Sequence, residues 1–277
     1  MRYRWKDELV KMFIAVSVIT TLSISLLLIG YIVFHGWRAL SPEFILGKPR
    51  GVPLGSEGGI LPAILGSLAL GGVSMLLASA LGLAAALYLF FYCKSQKLHS
   101  FIRLIIQSIA GIPSIILGLF GYVFFVVALG LGHSLLAGSL TLALMIFPVV
   151  AVNAEKALTE TEEEMLMASY ALGISKSHTF FKVVWANKKR DFLSGILLGT
   201  VYAMGATAPI MLTAAVFSAA APTRLSRPVM ALPYHLYIMA SERISVENAY
   251  GTALVLLMMI FVGYFTVFYI FRDKAVD

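Results

Sequence analysis

Between two long apolar runs the chain reads MASYALGISK at residues 167–176, and this stretch decides how the fold is interpreted. Its Ala and Ser side chains keep the surface shallow enough for close contact with another protein. Gly173 permits the positive φ that ends one short helix before another begins. Lys and Arg follow at 176, 182, 188, 189 and 190, a pattern typical of the cytoplasmic side of a membrane. The stretch therefore predicts a cytoplasmic loop that is held by a partner protein.

The composition indicates that the rest of the chain lies in a membrane. Of 277 residues 60% are hydrophobic and 13% charged, too few charges to coat a soluble globule. Uncharged runs long enough to cross about 30 Å of hydrocarbon as helix number six. They lie at roughly 12–34, 60–92, 104–130, 134–154, 193–217 and 248–271. Because the runs are continuous and do not alternate, they predict an all-α polytopic membrane protein with six transmembrane helices.

The distribution of Lys and Arg predicts the orientation. One set of loops holds 15 of the 21 basic residues and the other set holds 6, which makes the first set cytoplasmic. Both termini are then cytoplasmic, and the net charge of +7 reflects topology, not nucleic-acid binding. The first run has no small-x-small cleavage pattern, so we expect it to be retained as a helix.

The chain divides into an added first helix and a five-span core. Residues 41–55 are rich in Pro and Gly, and we expect an external connection without regular helix there. The predicted parts are the first helix with this connection at 1–58, a transmembrane domain at 59–272 and a cytoplasmic tail at 273–277. Two long connections, a cytoplasmic one at 155–192 and an external one at 218–247, are the predicted places for partners to bind.

Within the cytoplasmic connection, residues 161–185 predict two short helices separated by a turn. Thr161 and the three Glu residues after it are typical of a helix start, with a hydroxyl cap and carboxylates at the positive end of the dipole. The first helix covers about 162–172, Gly173 ends it, and Ser175 can cap the second. The alternative is a solvated linker in which the acidic run only maintains hydration.

The spans contain no ionisable residue in their central portions, which disfavours proton pumps, voltage sensors and intramembrane proteases. The five His residues show no metal-binding spacing, and the single Cys93 can form no internal disulfide. The sequence also lacks the Gly-x-x-x-x-Gly-Lys-Ser/Thr motif of nucleotide-binding loops. We therefore expect neither a catalytic site nor a bound metal or cofactor.

Gly and Pro interrupt several of the spans. Residues 205–209 read Gly-Ala-Thr-Ala-Pro, residues 111–114 read Gly-Ile-Pro-Ser, and residues 59–62 open the second span as Gly-Ile-Leu-Pro. Broken helices at membrane depth are tolerated where they are buried or face a water-filled cavity, and together they favour a gated path over a passive anchor. Gly195, Gly199 and Ala203, by contrast, recur every four residues and predict close helix packing.

These features resemble the membrane subunit of binding-protein-dependent ABC importers with the type I fold, over about residues 59–272. That family carries the pattern Glu-Ala-Ala, three residues, Gly, nine residues, Ile, one residue, Leu-Pro in the coupling helix that contacts the ATPase. The matching positions here are Met167-Ala168-Ser169, Gly173, Val183 and Trp185-Ala186, which keep the small residues and lack the Glu and the Leu-Pro. The resemblance implies ATPase coupling by Met167, Ala168, Ser169, Ala171, Leu172, Gly173, Ser175 and Lys176.

The phosphate-importer permeases are the subfamily that the chain resembles in particular. Their signature Arg-x-x-Gly-Glu-Thr-Ala-Pro matches residues 202–209, where Tyr202 replaces the Arg and Ala206 replaces the Glu. Three accounts fit this loss: the cargo differs, a partner permease supplies the charge, or the chain is the structural half of an asymmetric pair. The resemblance implies a translocation path lined by Tyr202, Gly205, Ala206, Thr207, Ala208, Pro209, Gly111, Pro113 and Ser114.

The resemblance implies a permease subunit, not an enzyme, that imports an inorganic oxyanion such as phosphate across a bacterial or archaeal inner membrane. Expected partners are a second permease subunit, identical or homologous, two cytoplasmic ATPases that bind ATP and magnesium, an external substrate-binding protein and membrane lipid, with no nucleic acid. The alternatives are a degenerate permease that acts as a non-transporting scaffold, and an importer of a different small substrate.

Overall fold

The computed structural model describes the backbone of residues 2–271 and the side chains of residues 8–269. The tail predicted at 273–277, the basic residue at 272 and the side chains of the basic residues at 2, 4 and 6 therefore lie outside the described residues. The described residues are mostly helical, with one short antiparallel pair, β1 (Pro49–Arg50) with β2 (Glu57–Gly58), and an isolated bridge between Ala215 and Val229. The helices are α1 (Arg2–Gly36), α2 (Pro42–Leu46), α3 (Leu61–Leu87), α4 (Gln96–Ala110), α5 (Ser114–Gly121), α6 (Leu135–Thr159), α7 (Glu163–Ala171), α8 (Lys176–Thr179), α9 (Trp185–Met204), α10 (Ala208–Thr213), α11 (Leu232–Ser241) and α12 (Val246–Phe271).

Fewer helices than predicted are long and apolar enough to cross a membrane. In the described part of the chain these are α1, α3, α6 and α12, or five spans if α4 and α5 form one bent span. The span predicted at 193–217, the fifth in chain order, is not confirmed. Its residues belong to α9, which begins with a charged stretch at 188–191 and ends at Met204, so the apolar helix from 193 to 204 is only about 18 Å long.

The interruption predicted at 111–114 is present and large. α4 ends at Ala110, α5 begins at Ser114, and the two helix axes differ by 98°. Pro113 has φ −56° and ψ 137°, an extended conformation that cannot continue a helix. α5 then passes into a wider π-helical segment, Tyr122–Ala128, as α3 does over Tyr88–Tyr92.

The connection at 41–55 contains regular structure that was not expected. α2 begins at Pro42 after Ser41, whose hydroxyl accepts a hydrogen bond from the Phe44 amide at 3.1 Å, and Pro at the first helical position favours this start. The prediction that this connection has no regular helix is therefore wrong over Pro42–Leu46. α1 contacts the rest of the molecule where Gly36 lies against the Tyr250 carbonyl, and none of its apolar window is buried.

The core is formed where α3, α6 and α9 cross at close distance. Gly82 of α3 faces Val150 of α6, and Gly195 of α9 faces Asn153, each at a distance that leaves no room for a Cβ atom. Ala203 is 1% exposed. The small residues predicted for helix packing on α9 are thus used in that way, and they fix the end of α9 beside the centre of α6.

Candidate functional site

The two interrupted helices border a cavity of about 490 Å³ beside the middle of α6. The start of α5, the end of α9, the break after it and one side of α12 form its walls. The lining residues are Ser114, Met145, Val201, Tyr202, Gly205, Ala206, Thr207, Ala208, Ile260 and Tyr264.

Glycines bring the two breaks together. A Cβ atom on Gly118 of α5 would lie 2.9 Å from the Pro209 Cα atom and 3.0 Å from the Ala208 carbonyl oxygen. On the other side of α5, a Cβ atom on Gly121 would overlap the Thr141 side chain of α6. α5 is therefore packed between α6 and α10, and only glycine allows this distance.

Most of the residues predicted for the path line this cavity. Tyr202, Gly205, Ala206, Thr207 and Ala208 do so, together with Ser114 from the other break. Pro209 is buried in the first turn of α10, behind the lining. Gly111 and Pro113 are exposed at the bend and are not among the lining residues.

The cavity offers hydroxyl groups and no charge. Its lining contains no Asp, Glu, Lys, Arg or His, and Ser114, Tyr202, Thr207 and Tyr264 carry hydroxyls. Among the described residues, none of these four hydroxyls makes a hydrogen bond. The packed Thr200 and Thr213, by contrast, donate to the carbonyls of Ile196 and Pro209 at 2.9 and 2.8 Å. The cavity hydroxyls are thus free to bind a solute.

Sequence reasoning missed the contribution of the other helices to this cavity. Tyr264 and Ile260 come from the last span, and Met145 and Val201 come from the middle of apolar runs. No local signal distinguishes them from packing residues. The packing of α12 and α6 against α9 brings these residues to the site.

The segment 161–185 contains the first predicted helix and turn, but it differs from the prediction at the Thr161 cap and in the second helix. α7 covers Glu163–Ala171, but the Thr161 hydroxyl donates to the Ala157 carbonyl at 3.2 Å and does not cap this helix. Gly173 has φ +71°, and the Ser175 hydroxyl accepts from the His178 amide at 3.4 Å, as predicted. The predicted second short helix is not separate, because α8 continues through the π-helical Phe180–Val184 into α9.

The residues predicted to contact an ATPase are mostly exposed, and they lie at the end of α7, in the turn before α8 and at the start of α8. Met167 and Leu172 are 58% and 79% exposed, so two large apolar side chains are available for contact with another protein. Ala168, Ala171, Gly173, Ser175 and Lys176 are exposed as well. Ser169 is the exception: it is buried, and its hydroxyl donates to the Met165 carbonyl at 2.9 Å.

Ionisable groups elsewhere do not form a metal site in the described part of the chain, where no three His, Cys, Asp or Glu residues lie together. His235 of α11 is 2% exposed, stacks on Phe217 at 5.5 Å and has its Nδ1 atom 3.2 Å from the Thr252 hydroxyl. Burial lowers the pKa of His235 to about 4, so it is neutral at physiological pH. Its role is in packing.

Comparisons with known proteins agree with this architecture. Residues 78–273 match the family described as binding-protein-dependent transport system inner membrane component. The chain is 34% identical over 225 residues to the probable phosphate transport system permease protein PstA of Methanocaldococcus jannaschii, covering 79% of this chain and 78% of that protein. It is 27% identical to the probable ABC transporter permease protein YqgI of Bacillus subtilis, covering 84% and 85% of the two chains. A structure of the MetNI methionine ABC transporter in an inward-facing conformation has the same fold, with a TM-score of 0.63 and 19% sequence identity. The match covers 77% of this chain and 94% of that chain.

Proposed function

Because the chain belongs to the family of binding-protein-dependent transport system inner membrane components, and is thus a permease subunit of an ABC importer, we propose that its cavity is part of the translocation path. The cargo in this proposal is an inorganic oxyanion, namely phosphate. The relative from Methanocaldococcus jannaschii carries a phosphate transport description, which supports this choice. In this proposal the chain hydrolyses no ATP itself.

The free hydroxyls of the cavity are the observation that carries the proposal. An oxyanion accepts several hydrogen bonds at once, and bonds to an ionised acceptor are about twice as strong as neutral ones. Ser114, Tyr202, Thr207 and Tyr264 present such donors around a space of about 490 Å³. Since the hydroxyls carry no charge, they bind an anion weakly enough for it to leave again, which conduction requires.

Neutral donors alone do not attract an anion to membrane depth. Tyr202 and Ala206 occupy the places where the phosphate-permease signature has Arg and Glu, so this chain provides no cation there. In the proposal a second permease subunit, identical or homologous, supplies the remaining contacts across the path. A homologous partner that keeps the Arg would complete the oxyanion site.

The exposed apolar side chains near the end of α7 support the assignment of segment 161–185 as the ATPase contact. Met167 and Leu172 expose most of their apolar surface on either side of the small residues Ala168 and Ala171. Burial of such surface against a protein partner is favourable by roughly 25 cal/mol per Å². One of the importer's two ATPase subunits, with its ATP and magnesium, would bind here on the cytoplasmic side of a prokaryotic inner membrane, and an external binding protein would deliver the cargo on the other side.

Two Thr to Val substitutions test the role of the hydroxyls. Thr207→Val removes a free cavity hydroxyl, whereas Thr200→Val, seven residues earlier, removes one that is already bonded within α9. Loss of a hydrogen bond to a charged ligand should lower the maximal rate of phosphate uptake, measured with the binding protein saturated, about tenfold in Thr207→Val. Thr200→Val should keep a maximal rate near that of the unmodified protein, and equal effects of the two would contradict the proposal.

A second candidate is a permease that serves as a scaffold or structural half without carrying cargo, and the loss of both signature charges favours it. Co-purification distinguishes the two. A transporting subunit should bring an ATPase with it and show ATP turnover that rises when the binding protein and phosphate are added, whereas a scaffold should show no such rise.

A further inference from the structure

Contacts of Lys176 and Ser177 hold the cytoplasmic end of α3 to segment 161–185. The Lys176 ammonium donates a hydrogen bond to the Phe91 carbonyl, 85 residues away in sequence. The same ammonium lies 5.1 Å from the centre of the Tyr92 ring. The Tyr92 hydroxyl is 3.4 Å from the Ser177 hydroxyl, so both residues after Ser175 contact the end of α3.

The Phe91 carbonyl is a natural partner for a cation. It belongs to the last turn of the π-helical segment Tyr88–Tyr92, where carbonyl groups have no amide donor within the helix. The negative end of the helix dipole adds to the attraction, and the face of an aromatic ring attracts an ammonium group further. Lys176 is therefore bound through both its charge and its hydrogen-bonding capacity.

The neighbourhood of this contact is packed. Phe91 is 7% exposed and belongs to a buried cluster with Phe180, Val184 and Phe192, against which Leu166 of α7 packs. Burial, and to a lesser extent the nearby Tyr92, raise the pKa of Tyr170 in the last turn of α7. The contact thus connects the end of α3 with both α7 and α8.

Chain connectivity gives this contact its significance. α6 leads directly into segment 161–185 and α9 leaves it, so covalent bonds transmit any displacement of the segment to these two spans. α3 has no such link, although it packs along α6 and α9 in the core. Side-chain contacts must transmit any displacement of the segment to the end of α3.

We propose that Lys176 is a positioning residue that fastens the end of α3 to segment 161–185, so that α3, α6 and α9 move as one body when an ATPase displaces the segment. This inference rests on the proposed importer function. It predicts that loss of the contact loosens the end of α3 and lowers the amount of cargo moved for each ATP hydrolysed.

The native Cys93, next to Tyr92, reports on the contact without any transport assay. It is partly buried and is the only cysteine in the chain. In the complete complex in nanodiscs, Lys176→Met should raise the rate of Cys93 labelling by a hydrophilic maleimide about tenfold, the effect expected for loss of one hydrogen bond to a charged group. Lys176→Arg keeps a cationic donor and should stay close to the unmodified rate. Lys97→Met, at an exposed lysine without an ion pair or hydrogen bond to any described residue, is the matched control.

The functional measurement is uptake per ATP hydrolysed, with the same variants in proteoliposomes. Lys176→Met should lower this ratio, while Lys176→Arg and Lys97→Met should not. If Lys176→Met fails to assemble, Tyr92→Leu removes the ring beside the ammonium and should raise labelling and lower the ratio to a smaller extent. Unchanged Cys93 labelling in Lys176→Met would overturn the contact, and raised labelling with an unchanged ratio would overturn its role in coupling. Absence of uptake by the unmodified protein would overturn the proposed function and the coupling role with it, and the labelling would still report on the contact.

Discussion

The contact between the two helix breaks can be tested by a single methyl group. In Gly118→Ala the new Cβ atom would lie 2.9 Å from the Pro209 Cα atom and 3.0 Å from the Ala208 carbonyl oxygen, where ordinary contacts begin at 3.4 Å. Both neighbours are backbone atoms and cannot rotate away, so α5 and α10 must separate by about half an ångström. The substitution therefore changes the cavity wall at Ala208 directly.

The magnitude follows from two opposing effects. Overpacking of a filled site costs about 1–3 kcal/mol, and two backbone clashes at once place this site in the upper half of that range. Replacement of Gly by Ala within a helix returns about 1 kcal/mol. The net loss of about 1–2 kcal/mol should lower the melting temperature of the purified complex by roughly 2–8 °C.

Gly72→Ala provides the matched control, because nothing lies within 4 Å of a Cβ atom built on that glycine of α3. It should be neutral or slightly stabilising. Thermal unfolding and phosphate uptake are measured on both variants. Gly118→Ala should lose stability and uptake while Gly72→Ala keeps both. Equal behaviour of the two variants would refute the close approach of the two breaks.

Three further predictions concern the exposed segment, the path and pH. Ala171→Glu places an unpaired charge in the proposed ATPase contact, where burial costs several kcal/mol, so the ATPase should no longer co-purify although membrane insertion is unchanged. Retention of the ATPase would contradict the assignment. Tyr202→Arg alone should impair uptake more than the double variant Tyr202→Arg/Ala206→Glu, because an unpaired cation at membrane depth costs roughly 2.5–3.5 kcal/mol on insertion scales. Equal impairment would mean that the two positions share no polar path. His235 has its pKa lowered to about 4 in the folded state, so it is neutral at pH 7. Its contribution to the free energy of unfolding is complete above pH 6.5. That contribution is lost as the pH falls from 6.5 towards 4, by about 3 kcal/mol in total. Thermal unfolding between pH 7.5 and 4.5 should show this loss, and His235→Gln should reduce its slope; identical slopes would contradict the burial of a neutral imidazole.

Local sequence signals predicted the features that depend on one residue's backbone. Gly173 has the positive φ that its position between two helices required, Ser175 caps the helix after it, and Pro113 lies in the break between α4 and α5, directly before the first residue of α5. Each of these outcomes follows from the conformations that a single residue can adopt. They are therefore visible in the sequence.

Features that depend on tertiary packing were not predictable in the same way. The 98° bend between α4 and α5 depends on where the two helices pack, and no local pattern specifies an angle. Apolarity alone suggested a span at 193–217, although a break divides that run after Met204. Thr161 has the composition of a cap, yet its hydroxyl bonds back to the preceding helix. The role of Tyr264 in the cavity depends on a crossing with a distant helix.

The most direct measurement of the central claim is phosphate uptake by the purified complex in proteoliposomes that contain ATP on the ATPase side. The account predicts uptake that requires both ATP and the external binding protein. With Cys93 replaced by Ser, a variant with Tyr202→Cys should lose this uptake after reaction with a hydrophilic thiol reagent, because the reagent would fill the cavity. Uptake that continues unchanged after full labelling of this cysteine would contradict the assignment of the cavity as the path.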